Sequence, residues 1–115
     1  MSRILIVEDD AIIAFDLAEQ LADAGFTIVG PALTSKDGLR ALSETGCDAA
    51  ILDVNLGSET SEAVAHELIR RNIPFLTVSG YSYDQFPAVF RLARPMAKPM
   101  RVASVIAELR RLTAG

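Results

Sequence analysis

Apolar residues fall into two patterns along this chain, and each pattern predicts one kind of element. Short apolar runs predict strands covered on both faces, and apolar residues three or four positions apart predict amphipathic helices. The predicted strands cover residues 4–7, 26–29, 48–56, 73–80 and 95–99. Helices are predicted at residues 11–24, 36 to about 45, at most 88–92, and 102–109. A third helix in chain order is predicted between the loop at 58–62 and Asn72, with its inner face within residues 64–69.

Local signals set the ends of these elements. Gly25 and Gly46 suit helix C-termini, and Ser35 is expected to cap the second helix. The pair at 30–31, Gly-Pro, is expected to break the second strand, and Pro95 predicts an edge position for the last one. A polar loop is expected at residues 58–62. The inner face of the first helix is predicted from four-residue spacing at Ile13, Leu17 and Leu21.

Strands and helices alternate five times, which predicts an α/β fold. Such alternation indicates a parallel sheet with helices on both faces, joined by right-handed crossovers. The length of 115 residues is that of one domain, residues 1–115. In open sheets of this type a ligand binds outside the carboxyl ends of the strands.

Composition narrows the class of protein. The net charge of −4 argues against direct nucleic-acid binding, and no apolar run is long enough to span a membrane. The single cysteine, Cys47, rules out a disulfide within the chain and favours a cytoplasmic location. No linker, repeat or low-complexity segment is seen in the sequence, and the expectation is a bare domain.

Polar residues collect at the predicted carboxyl ends of the strands. Glu8 and Asp9 follow the first strand, Asp53 ends the third, Ser79 ends the fourth and Lys98 ends the fifth. Converging carboxylates repel one another unless positive charge joins them, and oxygen ligands of this kind suit Mg²⁺. The turn Glu-Asp-Asp would repel a bare phosphate. A carboxylate beside a metal, a lysine and a hydroxyl is a plausible phosphoryl acceptor.

Four short motifs together resemble the receiver domain of two-component response regulators. They are Ile6-Val7-Glu8-Asp9-Asp10, Leu52-Asp53-Val54-Asn55-Leu56, Val78-Ser79-Gly80 and Lys98-Pro99. Each motif alone is weak, but the four occur in order and span the chain. The resemblance implies a flavodoxin-like doubly wound sheet of five parallel strands in the order 2-1-3-4-5. The fourth helix is expected to be short or irregular.

The resemblance implies that Asp53 accepts a phosphoryl group from a histidine kinase or a histidine phosphotransfer protein. The phosphorylated domain would then bind an unknown downstream protein differently, and no turnover of an independent substrate is expected. Asp9 and Asp53 would ligate Mg²⁺ by side chain, Asn55 by its backbone carbonyl and Glu8 through water.

Lys98 and Ser79 would contact the phosphoryl oxygens, and the resemblance also implies a cis peptide between residues 98 and 99. The sequence departs from the family at Pro95, where an aromatic that turns inward usually stands. Tyr81 is a candidate replacement for that aromatic. A Gly-Tyr pair after the fourth strand, together with a degraded fourth helix, resembles an atypical receiver subgroup that is found as stand-alone proteins or attached to hybrid kinases.

Two alternatives remain open from the sequence. Asp53 lies in an Asp-x-Asn frame at a strand end, which also fits a phosphatase with an aspartate nucleophile. Such enzymes usually carry two aspartates in this frame and need more chain. The other alternative is a degenerate receiver that acts only as a protein-docking module, against which the complete set of acidic, hydroxyl and lysine residues argues.

Overall fold

The computed structural model describes residues 2–57, 59–79, 88–97 and 101–114. The strands there are β1 Arg3–Val7, β2 Thr27–Ala32, β3 Ala49–Asp53, β4 Asn55–Leu56, β5 Glu59–Thr60, β6 Phe75–Ser79 and β7 Arg94–Ala97. The helices are α1 Ala11–Asp23, α2 Ser35–Glu44, α3 Glu62–Arg70 and α4 Val102–Thr113, with a 3-10 helix at Ala88–Leu92. None of these helices is long and apolar enough to cross a membrane.

Five of the strands form one parallel sheet in the order β2-β1-β3-β6-β7. The remaining two, β4 and β5, pair antiparallel in a separate small hairpin. Counted along the chain, the five sheet strands therefore follow the order 2-1-3-4-5, and the predicted flavodoxin-like α/β fold is confirmed.

Two apolar cores cover the two faces of the sheet. Side chains alternate between faces along a strand, so Leu5 and Val7 enter one core while Ile4 and Ile6 enter the other. The first core is closed by α2, α3 and the 3-10 helix, and the second by α1 and α4. All five residues of β3 are buried, which is why its sequence reads as a continuous apolar run up to Asp53.

The second strand is longer than predicted. β2 continues through Gly30 and Pro31 to Ala32, although a break was expected at this pair. Proline is tolerated because β2 lies at the edge of the sheet and pairs on one side only, with β1. The register with β1 shifts between Leu5 and Val7, at the level of this pair.

The third strand is shorter than predicted, and a hairpin replaces the expected loop. The sheet strand ends at Asp53 rather than Leu56. Gly57 has φ 68°, and this left-handed turn lets Asn55–Leu56 fold back onto Glu59–Thr60. Sequence patterning missed the reversal because the residues of β5 are exposed and polar, which is equally typical of a loop.

Two helix predictions were wrong in detail. Ile13 is 37% exposed, and Ala14 takes the inward position beside Leu17 and Leu21. A strict four-residue spacing rotates around a helix by about 40° per step, so one end of the predicted stripe leaves the core. The N-cap of α2 is Thr34, whose side chain accepts from the Asp37 N–H, and Ser35 is the first residue of the helix.

The last part of the sheet agrees with expectation. β7 is an edge strand in which the exposed Pro95 pairs with Thr77 of β6. The segment at Ala88–Leu92, where at most a short helix was predicted, is a 3-10 helix whose Phe90 is fully buried.

Candidate functional site

Three carboxylates meet at the carboxyl edge of the sheet. Glu8 and Asp9 follow β1, and Asp53 is the last residue of β3, the neighbouring strand. Because Val7 pairs with Leu52, the residues that follow each of them are brought side by side. One carboxylate oxygen from each of Glu8, Asp9 and Asp53 lies within 4.8 Å of the other two.

Burial makes this acidic cluster electrostatically demanding. Glu8 is 3% exposed and Asp53 is 4% exposed, whereas Asp9 faces solvent. Removing ionised carboxylates from water is costly, and the cost rises when like charges are close together. A cation held among the three oxygens would offset both the cost of burying the carboxylates and the repulsion between them.

Backbone donors support two members of the cluster. The Asp10 N–H donates to Glu8 Oε1 at 3.2 Å, and the Asn55 N–H donates to Asp53 Oδ1 at 3.2 Å. Both bonds join a carboxylate to the residue two positions later, so the turn after each strand holds its own acid in place. The second bond also places the backbone of Asn55 next to the carboxylate of Asp53. The carbonyl of Asn55 was predicted as a metal ligand.

The structure brings Ser79 to the same edge and describes nothing of Lys98. Ser79 ends β6, the strand beside β3, and the residue is 3% exposed. Its partner in register is Ala97, the last residue of β7. Lys98, the peptide between residues 98 and 99, and Tyr81 lie outside the described residues.

The roles of two residues beside the site were not predicted from the sequence. Asp10 belongs to the acidic turn, but it is the N-cap of α1, and its Oδ1 accepts from the Ile12 and Ile13 N–H groups at 3.0 and 3.2 Å. Its position directly before an amphipathic run is the usual signal for a cap. Gly57 lies against the cluster, since a Cβ built on it would be 3.7 Å from Asp9 Oδ2.

The residues present fit a hard divalent cation. The donor set is all oxygen, two of the three carboxylates are nearly buried, and the third is open to water. Mg²⁺ is commonly held by one or two carboxylates while it keeps several waters, and this cluster matches that requirement. Among the described residues, this is the group of His, Cys, Asp and Glu side chains close enough to hold a metal.

The remaining reactive groups lie apart from this edge. Cys47 is buried, and desolvation, which is the largest cause, raises the pKa of its thiol to about 11. His66 is an exposed residue of α3, with Nε2 3.6 Å from Glu62 Oε2. Neither has the setting of an activated nucleophile or a metal ligand.

Relatives and solved structures of similar fold are response regulators. The transcriptional regulatory protein PdtaR of Mycobacterium tuberculosis is 31% identical over 108 residues, which are 90% of this chain and 53% of PdtaR. A CheY-like response regulator receiver domain from Methylobacillus flagellatus is 28% identical, with a TM-score of 0.83, over 97% of this chain and 98% of that one. No family model matches the chain.

A third likeness concerns the fold alone. The response regulator TrrA of Thermotoga maritima, whose structure is a complex with Mg²⁺ and BeF, has a TM-score of 0.84 at 23% identity. The matched region covers 97% of this chain and 99% of the TrrA chain. The fold, the carboxylate cluster and these relatives agree, and together they support a receiver domain of response regulators. It spans about half the length of PdtaR.

Proposed function

We propose that this chain is a phosphorylation-controlled switch in which Asp53 is the phosphoryl acceptor. The observation that carries the proposal is the meeting of Glu8, Asp9 and Asp53 at the edge of the sheet where ligands bind in this fold. The proposed domain comprises residues 1–115, and the donor is a histidine kinase or a histidine phosphotransfer protein.

Asp53 would react through one carboxylate oxygen. That oxygen forms a bond to phosphorus while the bond from phosphorus to the donor's imidazole nitrogen breaks, and the imidazole leaves with the electron pair. Asp9 and Asp53 would hold Mg²⁺ by side chain, Asn55 by its carbonyl and Glu8 through water. The bound ion supplies positive charge that lets a phosphoryl group enter this acidic pocket.

The phosphoryl group changes the charge and hydrogen bonding of the edge. It brings roughly two negative charges and three strong acceptors to the end of β3. In this proposal the Ser79 hydroxyl donates to one of these oxygens and Lys98 pairs with another. A coupling of about 1–3 kcal/mol to partner binding is typical of such a switch. The exposed Pro95 cannot provide the inward aromatic of the family's usual relay.

Stoichiometric labelling is the direct test. The protein is incubated with acetyl phosphate and Mg²⁺, and intact mass is expected to increase by one phosphoryl group. Asp53→Asn removes the nucleophilic carboxylate and is expected to abolish labelling. Asp23→Asn, at the exposed far end of α1, is the matched control.

The same assay separates the alternatives. EDTA is expected to abolish labelling, and labelling that persists without any divalent ion contradicts the metal assignment. Repeated turnover of p-nitrophenyl phosphate would favour the phosphatase instead. A protein that neither binds Mg²⁺ nor takes label would be a docking module.

An apolar patch beside the cluster supports binding of a protein donor. Ile12 is 83% exposed and Phe15 is 57% exposed. Both lie on the first turns of α1, just after Asp9 and the N-cap residue Asp10. Residues three apart share a helix face, so these side chains form one surface at the edge where a donor must approach. Large apolar groups of this kind anchor protein interfaces.

Ile12→Ser is expected to slow labelling by a phosphorylated histidine phosphotransfer protein by about tenfold, the loss typical of an interface anchor. Labelling by acetyl phosphate, which needs no docking surface, is expected to be unchanged. Ala22→Ser, on an exposed turn at the other end of α1, is the control. Equal slowing with both donors would show that the substitution disturbs the acceptor site and would contradict docking here.

A further inference from the structure

The hairpin of β4 and β5 contacts both the acidic cluster and the beginning of α2. At one end, the Asn55 N–H donates to Asp53 Oδ1, and Gly57 lies against Asp9. At the other end, Glu59 and Thr60 bond to the beginning of α2. The same six-residue segment therefore touches the phosphoryl-acceptor site and a helix on one face of the sheet.

This hairpin is too small to be stable without outside support. It contains two residue pairs, Asn55 with Thr60 and Leu56 with Glu59. Even a full two-stranded hairpin is marginally stable in water. Leu56 is 5% exposed and anchors β4 in the core, whereas both residues of β5 are exposed. The position of β5 therefore depends on hydrogen bonds to its neighbours. At its C-terminal end the Glu62 N–H donates to Thr60 Oγ1 and the Ser61 N–H donates to the Val54 carbonyl, and further bonds come from α2.

Ser35 supplies two of these bonds from a rigid position. Its hydroxyl donates to the Thr60 carbonyl at 2.8 Å, and its N–H donates to Glu59 Oε1 at 3.0 Å. The N–H is one of those that a helix leaves unpaired at its first turn, and a carboxylate there is also favoured by the helix dipole. Ser35 is 8% exposed, and α2 is held to the sheet where Gly38 packs on Val7.

We propose that Ser35 and Glu59 are positioning residues of the phosphoryl-acceptor site. They fasten β5 to α2, and the hairpin in turn holds Asn55 and Gly57 against Asp53 and Asp9. The proposal rests on the function proposed above, because it assigns Asn55 and the carboxylates to a Mg²⁺ site. The equilibrium constant for Mg²⁺ binding and that for attachment of the hairpin to α2 are then raised by the same factor, each by the other.

Three variants remove the fastening in different ways. Ser35→Ala deletes the hydroxyl bond to Thr60, and Glu59→Ala deletes the acceptor for the Ser35 N–H. Glu59→Gln keeps an acceptor oxygen and loses only the charge. The matched controls are Ser43→Ala and Glu44→Ala, exposed residues at the other end of α2.

The primary measurement is the Mg²⁺ dissociation constant of the unphosphorylated protein by calorimetric titration. Ser35→Ala and Glu59→Ala are expected to raise it about fivefold each, the loss of one hydrogen bond, and Glu59→Gln by less. Hydrogen exchange without metal is expected to accelerate at the Ser35 amide in Glu59→Ala. With acetyl phosphate, the half-saturating Mg²⁺ concentration rises while the labelling rate at saturating Mg²⁺ stays unchanged.

The outcomes distinguish the two proposals. Wild-type protein that binds Mg²⁺ and takes label, with variants that bind Mg²⁺ equally well, overturns the positioning role and leaves the proposed function standing. Wild-type protein that binds no Mg²⁺ overturns both. If Ser35→Ala fails to fold, the two Glu59 variants decide the question, because Glu59 is an exposed hairpin residue.

Discussion

At the scale of single residues, Gly38 illustrates how packing and propensity oppose each other. A Cβ on Gly38 would lie 3.2 Å from Val64 Cγ2 and 3.2 Å from Val7 Cγ2, both nearly fully buried. Alanine would gain about 1 kcal/mol of helix propensity, but overpacking a filled core costs about 1–3 kcal/mol. Gly38→Ala is therefore expected to lower the free energy of unfolding by about 1 kcal/mol in urea titration.

The control for this prediction is Ser43→Ala on the exposed side of the same helix. That change meets no buried neighbour, so helix propensity alone acts and a small gain in stability is expected. A gain in stability for Gly38→Ala would mean that the two valines move aside easily, and the close approach of α2 to the sheet would then not limit this position.

At the scale of elements, an ion-pair group connects the end of α3 to α2. Glu67 bonds to Arg70 and Arg71, and Arg71 Nη1 donates to the Leu42 carbonyl at 2.9 Å. The hydrogen bonds from Arg70 and then Arg71 lower the pKa of the Glu67 carboxyl from 4.5 to about 2. Arg71 thereby joins two helices that cover the same face of the sheet.

This lowered pKa predicts a pH dependence with a definite sign. A carboxyl whose pKa is depressed in the folded state stabilises the fold above its unfolded pKa, here 4.5, and loses that contribution as pH falls toward 2. Glu67→Gln is expected to lower Tm by at most a few degrees at pH 7, because ion pairs at the protein surface contribute little even where, as here, one partner is partly buried. The difference from wild type should disappear by about pH 2 in thermal melts followed by circular dichroism.

The same comparison of Tm between Glu67→Gln and wild type can be repeated at different salt concentrations. Screening weakens exposed ion pairs, so the Tm difference at pH 7 should also shrink in concentrated salt. The exposed Glu44→Gln variant, for which no ion pair is described, is the reference. A Tm difference that is constant with pH and salt would mean that Glu67 acts through packing of its side-chain stem.

At the scale of the whole molecule, metal binding is expected to raise the stability of the entire fold. The carboxylates come from β1 and β3, two central strands, so a ligand that joins them binds the folded state alone. At ten times its dissociation constant Mg²⁺ contributes about 1.4 kcal/mol, which is roughly 5 °C in Tm for a domain of this size. EDTA should reverse the shift, and Asp53→Asn should reduce it.

The described structure also shows how much of the fold was predictable. Strands β1, β3 and β6 were recognised because burial on both faces requires continuous apolar sequence, and that requirement is visible without a structure. Edge strands have a weaker requirement for continuous apolar sequence and for backbone hydrogen bonding. β2 therefore continues through Gly30 and Pro31, where the sequence predicted a break, since an edge position needs no second set of backbone partners.

The candidate site likewise contains residues that the sequence predicted and residues whose role only the structure shows. Glu8, Asp9, Asp53 and Ser79 were predicted from their places at the ends of apolar runs, because parallel strands bring all their carboxyl ends to one edge. Asp10 was recognised as acidic, but its role as the α1 cap depends on one helix boundary. Ser35 was predicted as a cap, whereas the structure uses Thr34 as the cap and turns the Ser35 hydroxyl toward β5.

The sequence by itself determined which segments are buried, the alternation of strands and helices, and the chemistry at the strand ends. Each of these depends on local composition and on the periods of strands and helices. The tertiary structure alone decided the hairpin after Asp53, the contact of Gly57 with the acidic cluster, and the bonds from Ser35 to β5. The hairpin pairs residues only three and five positions apart, but its exposed polar sequence is equally typical of a loop. The contacts of Gly57 and Ser35 join residues 24 or more positions apart, so they depend on how α2 packs on the sheet and on the course of the chain after β3.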